Sequence, residues 1–490
     1  MPYTNSPSND TYSVHRIDLT REILKRNSST SKDEDYLNVF LETVKSKSVD
    51  DKRMFITKRA GTSTVVDSVF SGVVRGAIYW ADQNKLVYCV DNDIYVYNIN
   101  TGASTTLSNV FATTTGDVGM CIFLYDNETS KIVATDGTAT SGMITIDSAN
   151  TVVTCADADL PAHLPYPIFL DGYVFVAQTS SAAIWNSNLN DPLSWTAGDF
   201  IDAEFEADWI RALAKVNNYL VAFGSTTIEY FWDAGNSPGT PLQKNDTPVK
   251  LTHFIGGLAT YENNLFFLGV NENGQPDLFK LEGFKATPVG TSTVCRYLQS
   301  CTDGMSNWRG GIVSFMGHTF YVLNAGTTAT WVYDLDSQIW TRWSYQNNNT
   351  FSLRLALLVE KTNSFNTYFA LTGSSSTIYK FDESLYQDSG TNFSSQIVTE
   401  ANDFDTLRRK TMSSVSILGD RPSSDSSVTL YWSDDDYQSW SNGLSTNMNQ
   451  DLPSVRRLGS FRQRCFKLTH TDNAPLRLQT FECSINKGNS

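Results

Sequence analysis

Five histidines stand at positions 15, 163, 253, 318 and 470, and no two are four residues apart. A helix-borne zinc site needs two imidazoles one turn apart, so His-based metal chemistry finds no support. Gly235-Asn236-Ser237-Pro238-Gly239 matches the G-x-S-x-G of a nucleophile elbow. That elbow needs a buried strand before it and a helix after it, whereas Pro238 and Pro241 mark a loop here. Carboxylates crowd at Asp199, Asp202, Glu204, Glu206 and Asp208. A glycosidase uses two that face each other across a bond, and nothing in the spacing singles out two. No GxxxxGK[ST] phosphate loop occurs. The seven cysteines (89, 121, 155, 295, 301, 465 and 483) are odd in number and lack a CxxC, so free, mostly buried thiols are expected. The expectation is therefore no catalytic, cofactor-binding or metal residue, no cofactor and no enzyme.

Two further clusters carry other chemistry. Ser433–Trp440, SDDDYQSW, resembles the Asp-box S-x-D-x-G-x-T-W, with Tyr437 in the glycine position. In that motif the Asp fixes a turn through backbone N–H groups and the Trp plugs the hairpin base, a structural role. Arg456, Arg457, Arg462, Arg464 and Lys467 form a basic group suited to phosphate or, more simply, to an acidic protein surface. The chain supplies such a surface. Its formal charge is −15, and residues 61–400 hold 15 Lys and Arg against 33 Asp and Glu. A surface of that sign repels nucleic acid.

These residues need a scaffold, and the scaffold repeats. An apolar residue followed by Asp, Asn or Glu recurs at Tyr97-Asn98, Ile146-Asp147, Trp185-Asn186, Trp232-Asp233, Leu281-Glu282, Tyr333-Asp334 and Phe381-Asp382. Spacings of about 40 to 50 residues match one four-stranded blade each. Two positions before each apolar residue stand Tyr95, Ile144, Ala183, Tyr230, Phe279, Trp331 and Tyr379, on the same strand face. The polar residue at the strand end is expected to turn the chain through its own side chain. The central repeat is a meander: Ile210–Val216, a turn at Asn217-Asn218, Tyr219–Phe223, a turn at Gly224-Ser225, then Thr226–Trp232. Helical periodicity is absent. A barrel or a sandwich leaves the period unexplained.

The fold class expected is all-β: a β-propeller, with seven blades favoured, a separate C-terminal β-sandwich-like domain and a polar N-terminal arm. The divisions are 1–60 for the arm and opening strands, 61–395 for the propeller and 396–490 for the C-terminal domain. Met1–Asp10 and Asn27–Asp35 read as flexible, with a short helix over Asp18–Arg26 between them. Tyr36–Val44 and Met54–Thr57 read as strands, the second a candidate to complete the last blade. The C-terminal strands are expected over Thr411–Leu418, Val428–Trp432, Arg464–Thr469 and Leu476–Ile485. With 40% hydrophobic residues the chain has ample material for a core. No leader-like apolar region opens it and no run reaches membrane-span length, so a soluble, cytoplasmically made protein is expected.

Taken together, several segments resemble the tail hub or nozzle proteins of short-tailed bacteriophages (podoviruses), the packaged-DNA stabilisation family. They are LNVFLETV (Leu37–Val44), KRMFITKRAG (Lys52–Gly61), DGYVFVA (Asp171–Ala177) and the Asn190-Asp191-Pro192…Trp195 turn with Asp199-Phe200 and Ala203-Glu204. Ala207-Asp208-Trp209-Ile210, FGSTTIEYF (Phe223–Phe231), HFIGGLATY (His253–Tyr261) and WVYDLDSQIWTRW (Trp331–Trp343) follow. WSDDDYQSW with VRRLGSFRQRCFKL (Val455–Leu468) completes the set. The long polar arm and Tyr437 depart from the pattern.

The resemblance implies a structural virion protein of the tail, made in the host cytoplasm. It implies a homo-oligomeric ring, generally a hexamer, below the portal and adaptor proteins. Such a ring extends the DNA channel, helps retain the packaged genome, and docks a needle or plug and tail fibres or spikes. Double-stranded DNA passes through without specific binding during ejection, and an acidic channel wall fits that role. Two alternatives belong to other classes. A sialidase-like or other glycan-active propeller enzyme needs a converging carboxylate pair, or an arginine cluster with a tyrosine nucleophile, at one mouth. A monomeric interaction scaffold needs neither.

Overall fold

The computed structural model describes residues 12–19, 34–44, 53–66, 72–124, 129–361, 364–373 and 376–488. They form two compact units. One takes in Thr64–Thr327 and Ser352–Phe381; the other takes in the described residues up to Ser63, Thr328–Phe351 and Asp382–Ser490. Strands make up nearly all of the regular structure.

The first unit is an all-β propeller. Five sheets, each built on four consecutive antiparallel strands, begin at Val74–Trp80, Gly119–Phe123, Ile168–Leu170, Ala212–Val216 and His253–Tyr261, the fourth also taking in Val249–Lys250. A sixth sheet contains Leu353–Lys361, Ser364–Leu371 and Ile378–Asp382, and the hairpin Arg309–Phe315/His318–Asn324 stands between the fifth and sixth. The first strands neighbour one another in chain order, and Leu353–Lys361 lies against Val74–Trp80.

The middle strands of each sheet are buried on both faces, which explains why they read as unbroken apolar runs. In Lys85–Val90, Leu86, Tyr88 and Val90 pack toward Val359, Tyr368 and Ile378. Val87 and Cys89 point the other way, onto Ile132, Ala134, Ile144 and Ile146. The two-residue alternation of a strand does this without any polar face. The central meander lies at Ala212–Val216, Tyr219–Phe223 and Thr227–Asp233, with Asn217 at φ 53° in the turn.

The recurring polar residues turn the chain as their positions suggest. Asn98 Oδ1 accepts the Asn100 and Thr101 N–H groups, and Asp147 Oδ1 those of Ala149 and Thr151. Asp233, Asp334 and Asp382 accept the N–H two residues on. Asn186 departs from this: it is buried in mid-strand, because Ala183–Asn188 continues past it. Glu282 departs too, pairing with Lys280 instead.

The strand expected at Met54–Thr57 does not complete a blade. Arg53–Lys58 pairs with Val39–Val44 and with Arg477–Lys487. The strand beside Ile378–Asp382 is the next one, Gly61–Val66, whose Val65 and Val66 pack near Tyr368 and Ile378. A helix also forms where none is expected, over Ser292–Ser300, capped by Thr291 and burying Val294, Cys295, Tyr297 and Leu298. Nine residues are too few for the apolar period to show.

In the second unit two sheets share a core that includes Val415, Ile417, Phe466, Leu468, Leu478 and Phe481. The C-terminal strands fall at Lys410–Gly419, Ser427–Ser433, Cys465–His470 and Arg477–Lys487. Residues 34–63 and 328–351 belong to this same unit. Within the expected polar arm, Tyr12–Asp18 is a strand on Arg477–Lys487, with Ile17 buried. Asp18 ends that strand, and residues 20–26 of the expected helix, like Met1–Asp10, lie outside the described residues. Asp35, placed in a flexible stretch by the sequence, is buried against Arg342.

Candidate functional site

A cavity of about 1050 Å³ in the propeller unit is lined by the innermost strands. Glycines let those strands crowd together. A Cβ on Gly76 would meet Val118 O at 1.9 Å, and one on Gly119 would meet Pro165 O at 2.2 Å. Arg75, Arg211, Arg309 and Arg354 line it, together with Asp117 and Tyr166.

The arginines are largely committed to the protein. Arg75 spends its guanidinium on the carbonyls of Asp91, Thr113, Thr115 and Gly116 and on Thr113 Oγ1. Arg354 donates to Val74 O and pairs with Asp117. Arg309 reaches Asp117 at 3.5 Å and donates to Ser306 O and Trp308 O. Burial, and after it the Asp117 charge, raises the Tyr166 phenol's pKa; Arg309 and Arg354 oppose this. A tyrosine nucleophile requires the opposite shift. Here the arginines hold the cavity wall and the phenol stays protonated.

The residues singled out by the sequence do not converge on that cavity. Asp208 fixes a turn by accepting from Thr226 N–H at 2.7 Å and from the hydroxyls of Thr226 and Thr227. Glu206 pairs with Lys250 at 3.0 Å. Asp199 and Asp202 are half-buried and Glu204 is exposed. Gly235–Gly239 is a loop between the strands Thr227–Asp233 and Leu242–Lys244, with no helix after it. His163 is buried between Thr135 Oγ1 and Pro161 O, and burial lowers its pKa. His470 contacts Lys58 and Ser426. His15 packs on Phe404 and His318 on Phe320, and His253 is exposed in its strand. All seven cysteines are free, five of them buried.

The SDDDYQSW turn is built as its motif suggests. Asp435 Oδ1 accepts from Ser433 Oγ at 2.7 Å and from Ser439 N–H at 2.9 Å, and its other oxygen accepts from Ser439 Oγ. The Ser439 bonds first, then that from Ser433, hold the Asp435 pKa down at about 2. Tyr437 adopts φ 64°, the glycine-like conformation of its motif position.

The basic cluster divides. Arg464 is buried and paired with Asp434 through two 2.7 Å bonds, its guanidinium 4.1 Å from the Phe461 ring centre. Lys467 lies over Trp440 and Tyr431. Arg456, Arg457 and Arg462 remain exposed, joined by Arg408 and Arg409, which the sequence reading passed over. The pairing of Lys410 with Phe461 and of Ser414 with Arg456 brings these segments along the strand Lys410–Gly419.

The fold and its surfaces thus describe a β-propeller protein whose polar residues serve turns, walls and edges. The chain belongs to the Phage_stabilise family, described as "Bacteriophage P22 Gp10, beta-propeller", which it matches over residues 23–356, more than half its length. That family makes it a phage structural protein and a virion component. No curated protein matches the chain. Among solved structures it is similar to the Neurospora crassa Pan2 WD40 domain at 9% identity and a TM-score of 0.42, covering 66% of this chain and 95% of that one. It is also similar to the N-terminal domain of Nup159, at 10% identity and a TM-score of 0.38, covering 71% and 99%. A chain of a mitotic checkpoint complex gives 12% identity and 0.40, covering 69% and 96%. Likeness at that level carries no functional information.

Proposed function

We propose that this chain is the tail hub, or nozzle, subunit of a short-tailed phage. Copies form a ring, a hexamer, below the portal and adaptor. The ring extends the DNA channel, helps retain the packaged genome, docks a needle or plug and the fibres or spikes, and passes DNA on ejection. Family membership over residues 23–356 is the observation that carries this reading. The excess of carboxylates in residues 61–400 supports it, because a bore wall of that sign would release DNA rather than grip it. We read the propeller as seven-bladed, the hairpin Arg309–Asn324 being the inner half of the blade the six sheets leave open, and residues 396–490 as a C-terminal module. No observation favours a glycan-active site, since the cavity arginines are engaged by the protein itself.

Cryo-electron microscopy of the virion tail tests the proposal. A ring of this chain between portal and tail tip, with net negative charge facing the bore, is the expected result. An exit tube that lacks the chain overturns it.

A further inference from the structure

Residues 204–209 form a loop held at both ends. The Ala203 N–H donates to Ala182 O at 2.9 Å and the Ile210 N–H to Ser181 O at 3.0 Å, and both side chains are buried. Between these anchors Phe205 is 44% and Trp209 54% exposed, and Phe200, just before the loop, is 39% exposed. Large aromatics on a pinned loop are the composition of binding hot spots, because little entropy is lost on docking. Asp199 and Asp202 precede the loop and Glu204 opens it, and none of the three forms an ion pair among the described residues; Lys244 and Lys250 near Phe205 are paired to Glu229 and Glu206. The loop therefore presents aromatic anchors in a negative field.

The same chain carries the complement. Lys410 is buried, its Nζ donating to the carbonyls of Thr406, Arg408 and Arg462, and this gathers the Arg408, Arg409 and Arg462 segments. The side chains of Arg408, Arg409, Arg456, Arg457 and Arg462 are exposed and form no ion pair among the described residues. Leu407 beside them is 64% exposed. Arginines around an exposed leucine suit an acidic, aromatic partner.

We propose that the loop 204–209 of one copy docks on the Arg408/Arg409/Arg462 edge of a second copy. The two surfaces differ, so the contact is head-to-tail, the kind that closes into a ring. This deepens the ring reading above and rests on it.

Sedimentation of the full-length protein at low and high salt tests the contact. The reversal Asp202→Lys/Glu204→Lys and the reversal Arg408→Glu/Arg409→Glu should each weaken self-association at least about 10-fold. One chain carrying all four changes should recover it, which a folding defect would not allow. Phe205→Ser/Trp209→Ser should weaken association at every salt concentration, with the circular dichroism spectrum unchanged. Reversals that leave association intact overturn the contact and leave the ring reading standing. So does a wild-type chain that is monomeric alone yet forms a ring in the virion. Absence from the tail overturns the ring reading itself.

Discussion

Arg59 and Asp388 form a two-bond ion pair of 2.9 and 2.6 Å in which both side chains are completely buried. Their surroundings satisfy the remaining polar atoms. Arg59 also donates to Asn38 Oδ1, Ala60 O and Ser344 O, and Asp388 accepts from Thr62 Oγ1 and Gln346 N–H. The guanidinium lies 3.8 Å from the Phe393 ring centre. One pair thus ties the opening strands to residues 344–346 and 388 within their unit. Removing one partner strands a buried charge, so Asp388→Ala should lower unfolding free energy by about 3–5 kcal/mol. Urea denaturation checks this, and a loss under about 1 kcal/mol would contradict the assignment.

Next to that pair, Lys58 Nζ lies 3.3 Å from His470 Nδ1 and donates to Asp472 O at 2.8 Å. Burial lowers the Lys58 pKa to about 7; Arg59 adds to the shift, and Asp472 and Asp388 oppose it. His470 is lowered to about 4 by burial first and the Lys58 charge second, against Asp472. Both folded values lie below the unfolded ones, so the unfolded chain binds more protons in each interval. Stability must then rise with pH from about 4 to 6.5 through His470, and from about 7 to 10.5 through Lys58. The cost of a buried ammonium is fully present below pH about 7. Thermal melts should show Tm falling as pH drops through both windows. In Lys58→Met the upper slope should vanish; an unchanged slope above neutrality would refute the linkage.

How much of this was legible beforehand depended on sequence distance. The meander around Asn217 and the side-chain turns at Asn98, Asp147 and Asp233 involve neighbours within a few residues, and local chemistry dictated them. The Asp435 turn was legible for the same reason. Arg59 meets Asp388 across 329 positions, and no local pattern encodes that encounter. Arg464 looked like a surface arginine until folding set it against Asp434 and Phe461. The Arg75–Arg354 cavity was invisible because its members come one at a time from the starts of separate innermost strands. The closing strand was misplaced by one because Met54–Thr57 and Gly61–Val66 are both short and β-branched, and only pairing tells them apart.

Close approach of the inner strands gives a sharp steric test. A Cβ on Gly76 would stand 1.9 Å from Val118 O, a backbone atom that cannot rotate away. Gly76→Ala should destabilise the protein by about 1–3 kcal/mol or more through overpacking. Gly304, whose nearest neighbour for a Cβ is Ser306 Oγ at 3.6 Å, provides the control; Gly304→Ala should stay within about 0.5 kcal/mol of wild type. Equal melting temperatures for the two variants would show that the inner strands move apart freely.

Tyr437 poses the opposite problem, a bulky residue where its turn motif uses glycine. Its φ of 64° costs roughly 1–2 kcal/mol that glycine would not incur. Against this, the ring is buried with Val398 and Cys465, worth about 1.5–3 kcal/mol. Its hydroxyl donates to Thr399 O at 3.0 Å, worth about 1 kcal/mol more. Packing outweighs strain, so Tyr437→Gly should destabilise the unit by about 1–3 kcal/mol even though it restores the motif. Tyr437→Phe, which keeps the ring and loses the hydroxyl, should cost only about 1 kcal/mol. Chemical denaturation of the two variants separates ring from hydroxyl. A glycine variant as stable as the parent would mean that strain, not packing, dominates this turn.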